Sequence, residues 1–266
     1  HRRKGGARRG AGRPLARPRR TLADRRVRAC HKAGMASLSE RCADCVVRDA
    51  SLCASLRDDE LAERAGIGRA RSVVKGQVVV WEGDPTICAN LVSGVLKLSS
   101  SAADGREQIV GLLFPGDFVG QPFAEESSLT VTAVGDADLC VYPREAFETV
   151  VDDHPRLERM LLRRTMASLD EARARMVALG LKSALEKVAA FLVDMGERAA
   201  GPLAPGRPCR FDLPLSRAQM ADVLGLTIET VSRQMTVLKA SGLIALSGHR
   251  TVTIHDPARL PGFSSN

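Results

Sequence analysis

Aromatic side chains are scarce in this chain of 266 residues: one Trp, one Tyr and seven Phe, 3% of positions. Its cores must therefore be aliphatic, and with 44% hydrophobic residues the chain is long enough to fill two of them. Long apolar runs are missing as well. "IVGLLF" at 109–114 falls far short of the roughly 20 residues that cross a bilayer, and no apolar secretory stretch follows the basic N-terminus. The expectation is a soluble, cytoplasmic protein with no membrane partner. Catalytic signatures are also lacking, since no nucleophile elbow, HExxH or Walker loop occurs, so an enzyme is not expected. Seven cysteines, an odd number unevenly spread in a chain this large, argue against a disulfide framework.

Acidic residues are nearly absent from one end. Residues 1–34 hold 13 Lys or Arg and a single acid, Asp24, so the rest of the chain carries 26 basic and 30 acidic side chains. The overall charge of +8 thus belongs to the tail, and the body is mildly acidic. A Gly/Pro/Arg-rich stretch without hydrophobic periodicity cannot bury enough apolar surface to fold alone. It could bind nucleic acid weakly, but the expectation is a disordered extension, either upstream coding sequence or a remnant added to the protein, with Met35 opening the compact part.

What is present is patterned. Three cysteines crowd into "ERCADCVVRDASLCASL", as Cys42, Cys45 and Cys53. Clustered thiols in a reducing compartment point to a metal, though a redox pair or three small hydrophobes also fit the residues alone. From Arg71 to Tyr142, short apolar-polar alternation is cut by Gly83, Gly94, Gly105 and Gly116 at intervals of eleven. That spacing of strands and turns indicates a β-roll or jelly roll. Cys140 lies in one such alternating strand, where a lone cysteine is ordinarily a core residue.

After "DDHP" the period changes to helical, with Pro155 suited to a first turn. Leu162, Thr165, Leu169, Ala172, Met176 and Leu179 follow 3-4 spacing, the seam of a helix that pairs with a second copy. The alternative is one helix lying on the β-roll. A further amphipathic helix at 182–199 buries Leu185, Val188, Ala189 and Leu192.

The segment "LSRAQMADVLGLTIETVSRQM" is the most informative. Ser216 with Gln219 forms a capping box that opens a helix through Leu224, Gly225 permits a sharp turn, and Thr227 caps a second helix to about Ala240. Val231, Met235 and Leu238 face inward, leaving Glu229, Ser232 and Arg233 on the face that enters a DNA major groove. Arg233 can bond O6 and N7 of guanine, Glu229 can accept from cytosine, and Ser232 suits either neighbour. Thr230 shares the first turn with the cap. Arg217, Lys239, His249 and Arg250 are candidate phosphate contacts, and "LIALSGHRTVTI" resembles a wing. An ordinary solvated face with an incidental Glu–Arg pair is the competing explanation.

With these motifs in place, residues 40 to about 258 resemble the cyclic-AMP receptor protein and fumarate–nitrate reduction regulator (CRP/FNR) superfamily. The resemblance implies an α+β fold: a cyclic-nucleotide-binding-like β-roll (66–154) behind a cysteine-rich segment (35–65), a long dimerisation helix (155–181) and a C-terminal winged helix-turn-helix (182–266). "TIETVSRQM" looks like the FNR branch, which implies Glu229, Ser232 and Arg233 as readers of TTGAT half-sites in an inverted repeat, bound by a homodimer that contacts RNA polymerase. The C-x2-C-x7-C spacing resembles alphaproteobacterial FNR-type oxygen sensors. By that likeness Cys42, Cys45, Cys53 and Cys140 would hold a [4Fe-4S] cluster, and the chain would control anaerobic or microaerobic genes. Four cysteines also make a zinc site, and a cluster-free regulator or an iron-sulfur redox module would suit the same residues. Cyclic nucleotide is not expected, because no basic residue lies between Gly116 and Pro143 to hold its phosphate. Some family members carry a carboxylate on the dimer seam where Ala172 stands here.

Overall fold

The computed structural model describes residues 42, 44–64, 66–248 and 250–260. The basic tail 1–34 and His249 lie outside these. Among the described residues no helix is long and apolar enough to cross a membrane.

The alternating stretch folds into two facing four-stranded sheets. Strands β1 (Arg69–Val73), β8 (Ala137–Tyr142), β3 (Cys88–Ser93) and β6 (Phe118–Val119) are neighbours in one. The other runs β2 (Val78–Val80), β7 (Thr130–Ala133), β4 (Leu96–Ser101) and β5 (Glu107–Leu113). Side chains from alternate positions, among them Val73, Leu91, Leu96, Val131 and Leu139, fill the space between with an entirely aliphatic core. Gly94 makes the turn from β3 to β4 at φ 85°, where an added Cβ would sit 2.5 Å from the Asp136 carbonyl. Only glycine fits there.

Helices flank the roll. Helix α1 (Asp58–Arg64) follows the cysteine segment, and α2 (Arg144–Asp153) leads through His154 into α3 (Pro155–Leu181), with Pro155 in its first turn. At about 1.5 Å per residue α3 is roughly 40 Å long. Leu157 is its one fully buried side chain, while Leu162, Leu169, Met176 and Leu179 of the expected seam are exposed. They do not lie on the roll. Helix α4 (Ala184–Ala200), capped by Ser183 and Glu186, buries Leu185, Val188, Ala189 and Leu192 as the pattern predicts.

Three of the few aromatics meet at one junction. The rings of Phe118 and Phe147 stack at 5.0 Å, and Tyr142 tilts against Phe147 at 5.8 Å. They belong to a small core that joins Leu52 of the cysteine segment, Cys88 of the roll, Val150 and Val151 of α2 and Leu157 of α3. Burying a Leu of this kind is worth about 1.5–3 kcal/mol, so the junction holds the cysteine segment, the roll and the start of α3 together.

Candidate cysteine site and DNA-reading surface

From Cys45 to Cys53 the backbone winds through successive tight turns. Arg48 N donates to Cys45 O at 3.1 Å, and Ser51 N to Val47 O at 2.8 Å. Ser51, buried, donates its hydroxyl to Arg48 O and caps the 3-10 turn Leu52–Ser55 by accepting from Cys53 N at 3.3 Å. Val47 and Leu52 are the buried apolar anchors of the segment. They fix its backbone, and the flanking Cys45 and Cys53 stay half-buried.

Cys140 sits on β8, paired with Ala70 of β1 and Asn90 of β3. Tyr142, two residues on and so on the same face, brings the two cysteine-bearing parts together. Its hydroxyl lies 3.7 Å from Cys53 Sγ. Asn90, itself buried, donates its Nδ2 to Cys53 Sγ at 3.4 Å and to Tyr142 Oη at 3.1 Å, and its Oδ1 has no partner among the described residues. Beneath them Gly68 leaves room for nothing more, since a Cβ would stand 2.9 Å from Cys140 Sγ.

Burial pushes the Cys140 thiol up to about 11; the charges of Cys53, Cys42 and Cys45 add to the rise, and a hydrogen bond with Tyr142 opposes it. Burial first, then the charges of Cys53 and Cys140, also push the Tyr142 phenol upward. Cys53 therefore meets the Cys140 end of β8 at Tyr142 and Asn90, and the charges of Cys42 and Cys45 also bear on Cys140. Among the described residues, no three His, Cys, Asp or Glu side chains close round a point where they could hold a metal ion. Cys88, at the start of β3, is buried in the neighbouring junction core across from Tyr142, and Cys209 is buried far from it at the start of β9 (Cys209–Asp212).

Asn90 and Tyr142 were not singled out by sequence reasoning. Each had a weak signal: the chain's only Tyr shares a strand face with Cys140, and Asn90 interrupts an apolar strand.

The DNA-reading surface is built as its caps dictate. Helix α5 (Arg217–Leu224) opens on the Ser216–Gln219 capping box and ends at Gly225, at φ 60°. Helix α6 (Ile228–Ala240) starts at Thr227, whose side chain accepts from Thr230 N at 3.2 Å. Val231, Met235 and Leu238 are buried, and Glu229, Ser232 and Arg233 are exposed on the opposite face. The Thr227 hydroxyl donates to Thr230 Oγ1 at 3.1 Å, so both threonines shape the helix start. The wing strands β10 (Ile244–Ser247) and β11 (Thr251–Ile254) pair with each other, and β11 also pairs with β9. Arg250, exposed, donates Nη1 to Pro214 O at 3.3 Å. Arg217 is half-buried against Met220 Sδ, and loss of solvent lowers its pKa.

Two family models match along the chain: a cyclic nucleotide-binding domain over residues 70–154 and a Crp-like helix-turn-helix domain over 186–262. The transcriptional activator protein FnrL of Cereibacter sphaeroides is 44% identical over 84% of this chain and 92% of its own. The chain belongs to the CRP/FNR family of transcription regulators. Another member, the nitrogen fixation regulation protein FixK of Bradyrhizobium diazoefficiens, is 38% identical over 84% of this chain and 94% of its own. The solved structure of FixK2 from Bradyrhizobium japonicum superposes with a TM-score of 0.68 at 30% identity, covering 75% of this chain and 98% of that one. As a CRP/FNR regulator with a helix-turn-helix the chain binds DNA, and it is not an enzyme. The roll shares the family's α+β architecture, yet its 117–142 window has no basic residue. The nearest one, Arg144, is engaged by the Ala124 carbonyl at 2.8 Å and by Glu148 at 3.8 Å.

Proposed function

We propose that this regulator responds to oxygen, holding a [4Fe-4S] cluster through Cys42, Cys45, Cys53 and Cys140 and binding TTGAT-type inverted repeats as a homodimer. In that state it activates anaerobic or microaerobic genes through contacts with RNA polymerase. The observation that carries this reading is the meeting of Cys53 and Cys140, from two distant segments, at Tyr142 and Asn90. Four thiols are the donor set such a group takes, and loading would have to draw them together, since among the described residues no three such side chains close round one point. Asn90 fits it too, because an amide N–H aimed at sulfur suits a thiolate acceptor better than a thiol, and donors of this kind behind a ligand orient it. When bound, such a centre supplies an oxygen-labile tie between segments. The chain's own part is to present the thiols, to keep the site dry behind Leu52, Phe118 and Phe147, and to pass its state to α3.

The exposed apolar residues Leu162, Leu169, Met176 and Leu179, with Ala172 between them, support self-pairing along α3. Two recognition helices would then face successive major grooves about 34 Å apart. Glu229, Ser232 and Arg233 read bases, and Arg217 and Arg250 are assigned to the backbone. No cyclic nucleotide takes part in this reading. Oxygen acts through its differential effect on two populations, one with the cysteine segment held to Cys140 and one without.

Anaerobically purified full-length protein tests the proposal. It is expected to be brown, to carry about four irons per chain, and to lose colour and TTGAT-site binding together in air. Iron-free protein that binds DNA equally well in air makes the chain a cluster-free regulator, and stoichiometric zinc makes the site structural.

A further inference from the structure

Arg164 lies on α3 one turn beyond Met160 and Leu161, on the same roll-facing side of the helix and at the level of the exposed seam residues Leu162 and Thr165. Its guanidinium is held by backbone carbonyls. Nη1 donates to Gly116 O at 2.8 Å, and Nη2 donates to Ala50 O. These carbonyls belong to different bodies. Gly116 is in the "FPGD" turn, which is fixed to the roll by Gly116 N to Leu91 O at 2.8 Å and Leu91 N to Asp117 O at 2.9 Å. Ala50 is in the wound segment between Cys45 and Cys53, where its own N donates to Val47 O at 3.1 Å. The two bodies touch directly at this point, since a Cβ on Gly116 would meet Ala50 Cβ at 3.0 Å and Ala50 O at 3.1 Å.

We infer that Arg164 is the positioning residue that couples the cysteine segment to the dimerisation helix. The inference rests on the oxygen-response proposal above. A planar guanidinium can satisfy two carbonyls only while they keep their spacing. Displacing the backbone between Cys45 and Cys53 moves Ala50 O and removes one of the two acceptors. The helix then loses its hold beside the seam. A second arginine of α3, Arg175, donates to Val110 O at 2.6 Å. It ties the helix to β5 without touching the cysteine segment, so it docks α3 equally in both states.

The two arginines separate coupling from docking. The readout is the ratio of the dissociation constants for a TTGAT-repeat duplex, air-treated over anaerobically loaded full-length protein. A coupling of ordinary size gives the wild type a ratio of about 5–150. Arg164→Lys keeps the charge and cannot bridge both carbonyls. It is expected to retain the wild-type iron content while its ratio falls toward 1. Arg175→Lys should weaken both states alike and keep the wild-type ratio. An Arg164→Lys ratio equal to wild type overturns the inference, as does an equal collapse in Arg175→Lys. Should Arg164→Lys fail to fold by circular dichroism, hydrogen exchange on the wild type decides. Amides of 159–168 should lose protection together with 44–56 when iron is lost, and unchanged protection of 159–168 overturns the inference. Wild-type protein without iron, or with a ratio near 1, overturns the oxygen-response proposal as well.

Discussion

Gly68 has no space for a side chain, because a Cβ would stand 2.9 Å from Cys140 Sγ and 3.0 Å from Tyr142 Cε1. Gly68→Ala should therefore push apart the two side chains that face the cysteine segment. Overpacking of this kind costs about 1–3 kcal/mol, to be read in urea denaturation, and anaerobic iron uptake should fall with it. Full stability with full uptake would show that Cys140 and Tyr142 can move aside. Cys88 gives a pH test free of the candidate ligands. Burial, with Glu148 adding and Arg144 opposing, pushes its thiol up to about 12, against about 8.5 in an unfolded chain. The folded protein thus holds that proton more tightly, so the stability it lends is whole below about pH 8.5 and drains away as pH rises toward about 12. Cys88→Ala should flatten the fall in unfolding free energy between about pH 9 and 11, by up to about 1.4 kcal/mol per pH unit. An unchanged slope would show that the thiol is ordinary. Of this candidate site, Cys42, Cys45 and Cys53 stood out in the sequence because their spacing is local and cysteine is rare, whereas Cys140, 87 positions beyond Cys53, came in only with the family resemblance. Asn90 and Tyr142 were harder to see, because their role is set by strand register across β3 and β8, which no neighbouring residue announces.

The two helices of the helix-turn-helix were readable to the residue at their caps. The Ser216 and Thr227 caps stand where the pattern placed them, because a cap is a short-range hydrogen bond between a hydroxyl and an amide three positions on. Thr227→Ala removes the acceptor of Thr230 N. It should cost about 1 kcal/mol of helix stability and, where that helix must be ordered to bind, about fivefold in DNA affinity, with the order of preference among half-sites unchanged. Arg233→Ala should differ in kind, costing about 1–3 kcal/mol and relaxing selectivity at one base pair. Binding assays across single-base variants of the site separate the two. Helix α2 escaped the sequence because it starts at Pro143 without a side-chain cap and runs into α3 across His154. Strand β9 was hard to place because its partner, β11, is some forty positions away.

The molecule as a whole has one long helix with two differently occupied sides. Leu157, Met160 and Leu161 join the core around the cysteine segment, and the seam faces solvent, with Met176 70% exposed. With Ala172 where relatives can carry a carboxylate, nothing charged obstructs close approach at that point of the seam. Metal-free protein should sediment as a dimer at micromolar concentration, and clean monomers would show that other forces set the equilibrium. Ile109, Leu112 and Val134 of the roll are buried in the same cluster as Val188, Met220 and Val231, and Gln108 Nε2 donates to Asp222 O at 2.5 Å. Sensor and reader are therefore not separable cartridges. A chimaera joined at the end of α3 would match two halves of an apolar surface that were never selected together, so exchange of sensors among such regulators should succeed only when β5 travels with the reader it was fitted to.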